Sequence, residues 1–178
     1  MPRHRAGLSA TTPWEVAEEF PAALKRLAAG YRKVILIANS IGAYFAMHAL
    51  HDQPIAHAWF ISPIADMAQL ITDMIGWAQT TEAELRRRGE IPTNFGETLS
   101  RAYLTYVREH PVQWDIPTDV LYGSGDTMTA EGTIRAFCTK HRASLTVMEG
   151  GEHWFHTPEQ MAFLDDWLRR TAGQLVLA

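Results

Sequence analysis

Three short segments hold the residues that could do chemistry. The first is Ala38-Asn39-Ser40-Ile41-Gly42, where an apolar run gives way to a helical pattern. A serine on a sharp strand-to-helix turn projects its hydroxyl past the sheet edge. The next amide, that of Ile41, then opens a helix and can face a developing oxyanion. Such a turn calls for small residues two before and two after the serine, and Ala38 and Gly42 answer that need, with Asn39 between. The second segment is Gly123-Ser124-Gly125-Asp126 and the third Gly150-Gly151-Glu152-His153, each directly after a β-type run. Parallel strands end at one edge of a sheet, so the three loops bring Ser40, Asp126 and His153 to the same edge. Each also has a plainer reading: Ser40 as a helix cap, Asp126 as a turn or cap residue, His153 as a surface histidine. His156 competes with His153, and Asp66 with Asp126.

The elements that must position them follow from periodicity. Residues 34–38, Val-Ile-Leu-Ile-Ala, have no alternation and read as a strand buried on both faces, which implies parallel pairing with helices on each side. Similar runs fall at 58–61, 118–122 and 144–148, separated by helical patterns. Helices are expected after Ser40 and over 130–141 and 157–171, the last opened by the capping box Thr157-Pro158-Glu159-Gln160. Ahead of the first strand, Thr12-Pro13-Trp14-Glu15 is a capping box for a helix that ends near Gly30, with Pro21 expected to kink or split it. Strands alternating with helices make an α/β protein with a mostly parallel sheet of about four strands.

Residues 64–113 break the alternation. Met67, Leu70, Ile71, Met74, Ile75 and Ala78 form an apolar helical stripe, and Thr81-Glu82-Ala83-Glu84 and Asn94-Phe95-Gly96-Glu97 read as caps of two further helices. A helical insertion at this point is either a cap over a site or a helix pair that only packs on the sheet. The chain is otherwise read as one domain spanning residues 1–178.

Composition narrows the function classes. The 178 residues carry 16 Lys plus Arg and 20 Asp plus Glu, a net charge of −4, and no basic face for nucleic acid is expected. At 47% hydrophobic the chain can bury a core. One cysteine, Cys138, makes no internal disulfide and reads as a packing residue. The basic start Met1-Pro2-Arg3-His4-Arg5 has no apolar run behind it, so no secretory signal is read, and no segment is long enough to span a bilayer. A cytoplasmic location is the expectation. Arg86-Arg87-Arg88 reads as a solvated helix face. His153 and His156 lack further ligands at metal-site spacing, so neither metal nor cofactor is expected.

The order Ser40, Asp126, His153 on successive strand-end loops resembles the α/β-hydrolase superfamily over roughly residues 34–168. In that resemblance residues 38–42 are the nucleophile elbow, residues 121–126 the acid loop, residues 151–154 the histidine loop, and the insertion occupies the cap position. It implies that Ser40 attacks an acyl carbonyl, that His153 takes its proton and that Asp126 orients the imidazole, with the Ile41 N–H as an oxyanion donor. Asp66 stands where some members carry the acid; Asp126 fits the usual loop better. A small-molecule acyl substrate is implied.

The same resemblance raises a difficulty of length. Members have several strands before the nucleophile strand, and a loop there gives the second oxyanion amide. Strands of about five or six residues each do not fit into residues 1–33 beside the first helix. The nucleophile strand would then be an edge, open to pairing with another chain. Three accounts follow: a C-terminal part of a longer protein, which is preferred; a homodimer through that edge; or an inactive remnant acting in binding or assembly. One missing oxyanion donor corresponds to a rate loss on the order of 10²–10³.

Overall fold

The structure, a computed structural model, describes residues 11–177; the basic start at Met1-Pro2-Arg3-His4-Arg5 lies outside them. In chain order the elements are α1 (Pro13–Ala28), β1 (Ile35–Asn39), α2 (Ile41–Leu50), β2 (His57–Ile61), α3 (Met67–Trp77), α4 (Glu82–Arg88), β3 (Glu90–Pro92), β4 (Thr98–Ser100), α5 (Arg101–Glu109), β5 (Thr118–Gly123), α6 (Glu131–His141), β6 (Ser144–Met148) and α7 (Pro158–Leu177). β1, β2, β5 and β6 form one sheet in that order, parallel at every pairing. The α/β architecture with a parallel four-stranded sheet is therefore the one expected.

Alternation along β2 and β5 sends side chains to two separate cores. Ala58, Phe60, Val120 and Tyr122 face α2, α6 and the insertion, packing with Met47, Ile134 and Trp114. Trp59, Ile61 and Leu121 face α7, where Trp167 and Phe155 close the second core. Cys138 packs in the first core, as read from sequence, and burial pushes its thiol up to about 11. Arg86 and Arg87 sit exposed on α4 and pair with Glu82 and Glu84.

Three expectations need correction. β1 is not buried on both faces: Leu36 and Ala38 pack inward, but Ile35 and Ile37 are 39% and 56% exposed. The cause is position, because β1 is the outermost strand among the described residues and the α7 core is built on β2, β5 and β6. Helix α1 runs unbroken through Pro21. Its Thr12–Glu15 capping box supplies an N-terminal anchor, and Val16 is fully buried. Finally, Asn94-Phe95-Gly96-Glu97 opens no helix. It forms the turn of the antiparallel hairpin β3–β4, where Gly96 takes φ 91° and Thr93 N donates to Glu97 O at 2.8 Å. Asn and Gly serve a turn as readily as a cap, and the positive φ decides for the turn. Ser100 caps α5 instead.

Candidate active site

Ser40 stands between β1 and α2 with φ 51° and ψ −126°, a region that costs a non-glycine residue about 1–3 kcal/mol. Neighbouring backbone holds it there. Its N–H donates to Ile61 O at 3.0 Å, and its carbonyl accepts from Ala43 N and Ile64 N, both at 3.1 Å. The chain following β2 thus clamps the turn that follows β1. The side chain makes no capping bond to α2. It turns instead to His153, with Oγ 2.8 Å from Nε2 in a buried setting, and the reading of Ser40 as a mere helix cap falls away.

His153 Nδ1 lies 2.7 Å from Asp126 Oδ2, with side chains 4% and 0% exposed. A carboxylate accepting at Nδ1 fixes the tautomer, leaving Nε2 free to accept from the serine hydroxyl. The other carboxylate oxygen, Oδ1, accepts from Met128 N at 2.7 Å and Thr129 N at 3.1 Å, so the acid cannot rotate away. Tyr122 OH donates to Thr129 O at 2.7 Å and fastens the far end of that loop. Burial, with the Asp126 and Glu131 carboxylates adding to it, pushes the Tyr122 phenol up to about 12, so it remains a donor.

The loops that carry Asp126 and His153 are stitched to each other. Ser124 N donates to Met148 O at 2.9 Å, Gly125 N to Gly151 O at 2.8 Å, and Gly150 N to Ser124 Oγ at 2.8 Å. Gly123 and Gly151 approach so closely that a Cβ on Gly123 would enter the Gly151 carbonyl, while one on Gly151 would press on Gly123 Cα and the Met148 side chain, both at 3.1 Å. Neither Ser124 nor the Met128 and Thr129 amides were singled out from sequence. Backbone donors leave no residue signature, whereas a serine between two glycines could have been noticed as a loop clip.

The competing residues lie elsewhere. Asp66 caps α3, accepting from Gln69 N at 2.9 Å, and lines a separate cavity of about 650 Å³ with Tyr44 and Lys140. His156 is exposed and pairs with Glu152 at 3.1 Å. The Ile41 amide, at the first turn of α2, has no backbone acceptor within the described residues and remains available to a ligand oxygen. At Gly42, in the first turn of α2, a Cβ would meet nothing within 4 Å beyond the helix's own backbone. Beside the elbow, Ile41, α3 and Met128 enclose a mostly apolar cavity of about 260 Å³.

No family model and no curated protein sequence matches the chain. Solved structures do. Est1E from Butyrivibrio proteoclasticus superposes with a TM-score of 0.72 at 15% identity, over 91% of this chain and 72% of that one. Alpha/beta hydrolase domain-containing protein 10 from mouse gives 0.69 at 16% identity, over 96% and 73%. The esterase domain of a Rhodothermus marinus protein gives 0.61 at 16%, over 92% and 71%. With parallel β1, β2, β5 and β6 and a serine on the strained turn after β1, this is the α/β-hydrolase fold. No described strand precedes β1, so the loop that donates the second oxyanion amide in that fold has no counterpart among the described residues.

Proposed function

We propose that the protein is a serine hydrolase that cleaves an ester or related acyl bond, with Ser40 as nucleophile, His153 as general base and acid, and Asp126 as the orienting carboxylate. One observation carries this reading: the unbroken buried chain Ser40 Oγ, His153, Asp126, at 2.8 Å and 2.7 Å, that starts on a strained turn. In the first step Ser40 Oγ attacks the carbonyl carbon while its proton passes to His153 Nε2. The carbonyl oxygen becomes an oxyanion and accepts from the Ile41 N–H. Collapse releases the alcohol, which takes the proton from His153, and leaves Ser40 acylated. Water then repeats both steps and frees the acid. In this reading the insertion, residues 64–113, serves as a cap over the cavity beside Ile41, within a single domain. The substrate is a small acyl compound and no cofactor takes part.

The test is labelling by a fluorophosphonate probe. Ser40 is expected to be labelled at neutral pH, Ser40→Ala and His153→Ala to abolish it, and the label to be found on no other serine. An unlabelled wild-type chain overturns the proposal.

Two observations, both of the described residues, favour a second reading: the single elbow amide, and Ile35 and Ile37 exposed on β1, the outermost strand among them. In this reading the chain is a non-catalytic module that assembles with a second copy through β1. A stable dimer without esterase activity in sedimentation and turnover assays supports it; a monomer that hydrolyses esters dismisses it.

A further inference from the structure

The cavity beside the elbow restricts what an acyl substrate can carry. It begins at Ile41, whose amide would meet the oxyanion, and at Met128, two residues beyond Asp126. Its wall is α3, through Leu70, Ile71 and Met74, and its far side is the hairpin β3–β4 with Leu99. Trp77 and Phe95, 47% and 40% exposed, stand edge to face at 6.3 Å on its rim. Among the described residues the one charged side chain in the lining is Glu97, which has a partner of its own, and the rest of the lining is mostly apolar. Among the described residues the lining offers no cation to an anionic substituent, whereas a neutral apolar one finds a surface to fill.

The size of the space sets a limit. An apolar cavity of about 150 Å³ holds a benzene ring. The remaining ~110 Å³ of the 260 Å³ accommodates roughly three or four further heavy atoms, at about 30 Å³ for each water-sized unit. A chain of a dozen carbons does not fit. Three methionines in the lining, Met67, Met74 and Met128, adapt to irregular shapes and favour contact with aromatic rings.

We infer that this cavity selects esters with one compact, neutral apolar substituent: an aromatic ring on a short linker, or an alkyl chain of about six to nine carbons. The inference rests on the serine-hydrolase reading and names its substrate class. The substituent enters from either the acyl or the alcohol side, and the two sides are separable.

Two ester series test it, each followed by acid release in a pH-stat. Methyl esters of acetic, hexanoic, 3-phenylpropanoic and dodecanoic acids vary the acyl side. Methyl, hexyl, 3-phenylpropyl and dodecyl acetates vary the alcohol side. In one series kcat/KM is expected to rise about 30-fold from the smallest member to the six-carbon or phenylpropyl member, then to fall about tenfold at twelve carbons. The series that shows this profile identifies the side that enters. Two flat series, or a rate still rising at twelve carbons, overturn the inference. In Met74→Trp, which fills the cavity, the ratio of kcat/KM for the phenylpropyl member to that for the smallest should fall at least tenfold, and Met74→Leu should keep it. An unchanged ratio in a folded Met74→Trp protein also overturns it. Fluorophosphonate labelling run in parallel separates the two levels. Labelled Ser40 with a flat profile removes the cavity inference alone, and an unlabelled Ser40 removes the hydrolase reading and the inference with it.

Discussion

Replacing Gly123 by alanine tests the claim that two backbones in contact hold the acid and the histidine in line. A Cβ at Gly123 would lie 3.0 Å from the Gly151 Cα and closer still to the Gly151 carbonyl. Carbon atoms normally pack at about 3.5–4.0 Å, so the strands' exit loops must part by roughly 1 Å. Neither loop has slack, because the Ser124–Met148, Gly125–Gly151 and Gly150–Ser124 hydrogen bonds tie them together. Asp126 and His153 follow within three residues of the clash, so the strain falls on their 2.7 Å bond. A misplacement of about 1 Å corresponds to a rate loss on the order of 10², and overpacking to a stability loss of about 1–3 kcal/mol. Steady-state ester hydrolysis and urea unfolding should therefore show kcat reduced about 100-fold. KM should change little, since the cavity at Ile41 and α3 is not lined by either loop glycine. Gly132→Ala in α6 is the control: a Cβ there meets nothing within 4 Å, and alanine should stabilise the helix by about 0.5–1 kcal/mol. A Gly123→Ala protein with wild-type kcat would refute the reasoning, whatever its stability, because the loops would then move without disturbing the triad.

Other outcomes follow from single contacts. Ser40→Gly relieves a strained φ of 51° and should raise unfolding stability by about 1–2 kcal/mol while losing all probe labelling; a destabilised variant would remove the strain argument. Tyr122→Phe leaves Thr129 O without its donor, and stability should fall by about 1–2 kcal/mol, with a smaller loss of kcat as the Asp126 loop loosens. His48, half-buried against Tyr44 and Tyr106, is held below its ordinary pKa by burial and then by His110 and His51. The folded state then binds fewer protons than the unfolded one, so this contribution is fully present above pH of about 6.5 and shrinks as pH falls through the lowered value. Urea midpoints should drop from pH 7.5 to pH 5.5, and the drop should be smaller in His48→Gln; an equal drop would assign the effect to other groups.

How much of this was legible depended on whether the deciding force is local. The residues 38–42 turn could be read because an apolar β-type run passes into a helical pattern through small residues, and that transition is a property of neighbours in sequence. The same holds for the Thr12 cap and for the four strands, which fall within a residue of their expected bounds. Asn94-Phe95-Gly96-Glu97 is ambiguous in sequence because its residue types suit a cap and a turn alike, and only the pairing of Ile91 with Leu99 chooses between them. The exposure of Ile37 was hidden for a different reason: apolar content reports what a strand can bury, not which elements are there to cover it. The site itself divides in the same way. Ser40, Asp126 and His153 carry their chemistry in their side chains, whereas the amides of Met128 and Thr129 that hold Asp126 could belong to any residue.

Of the five described non-glycine residues with positive φ, Gln79 and Arg142 lie away from the hydrogen-bonded chain Ser40–His153–Asp126 and three lie beside it. Three non-glycine residues with positive φ sit at the carboxyl end of the sheet: Ser40 after β1, Ser62 after β2 and Phe155 just past His153. Each such residue costs about 1–3 kcal/mol and persists only where its surroundings leave no alternative. Here the surroundings are identifiable. Ser40 is held by three backbone hydrogen bonds, Ser62 N donates to Leu121 O at 2.8 Å, and Phe155 is buried against the core that contains Trp59, Leu121 and Trp167. The apolar layer beneath α7 thus does more than stabilise the sheet. It fixes Phe155, and through Phe155 the short loop from which His153 reaches both Ser40 and Asp126. Loss of packing in that layer should therefore weaken the Ser40–His153–Asp126 hydrogen bonds before it unfolds the chain, which links the stability of the second core directly to the chemistry proposed at its rim.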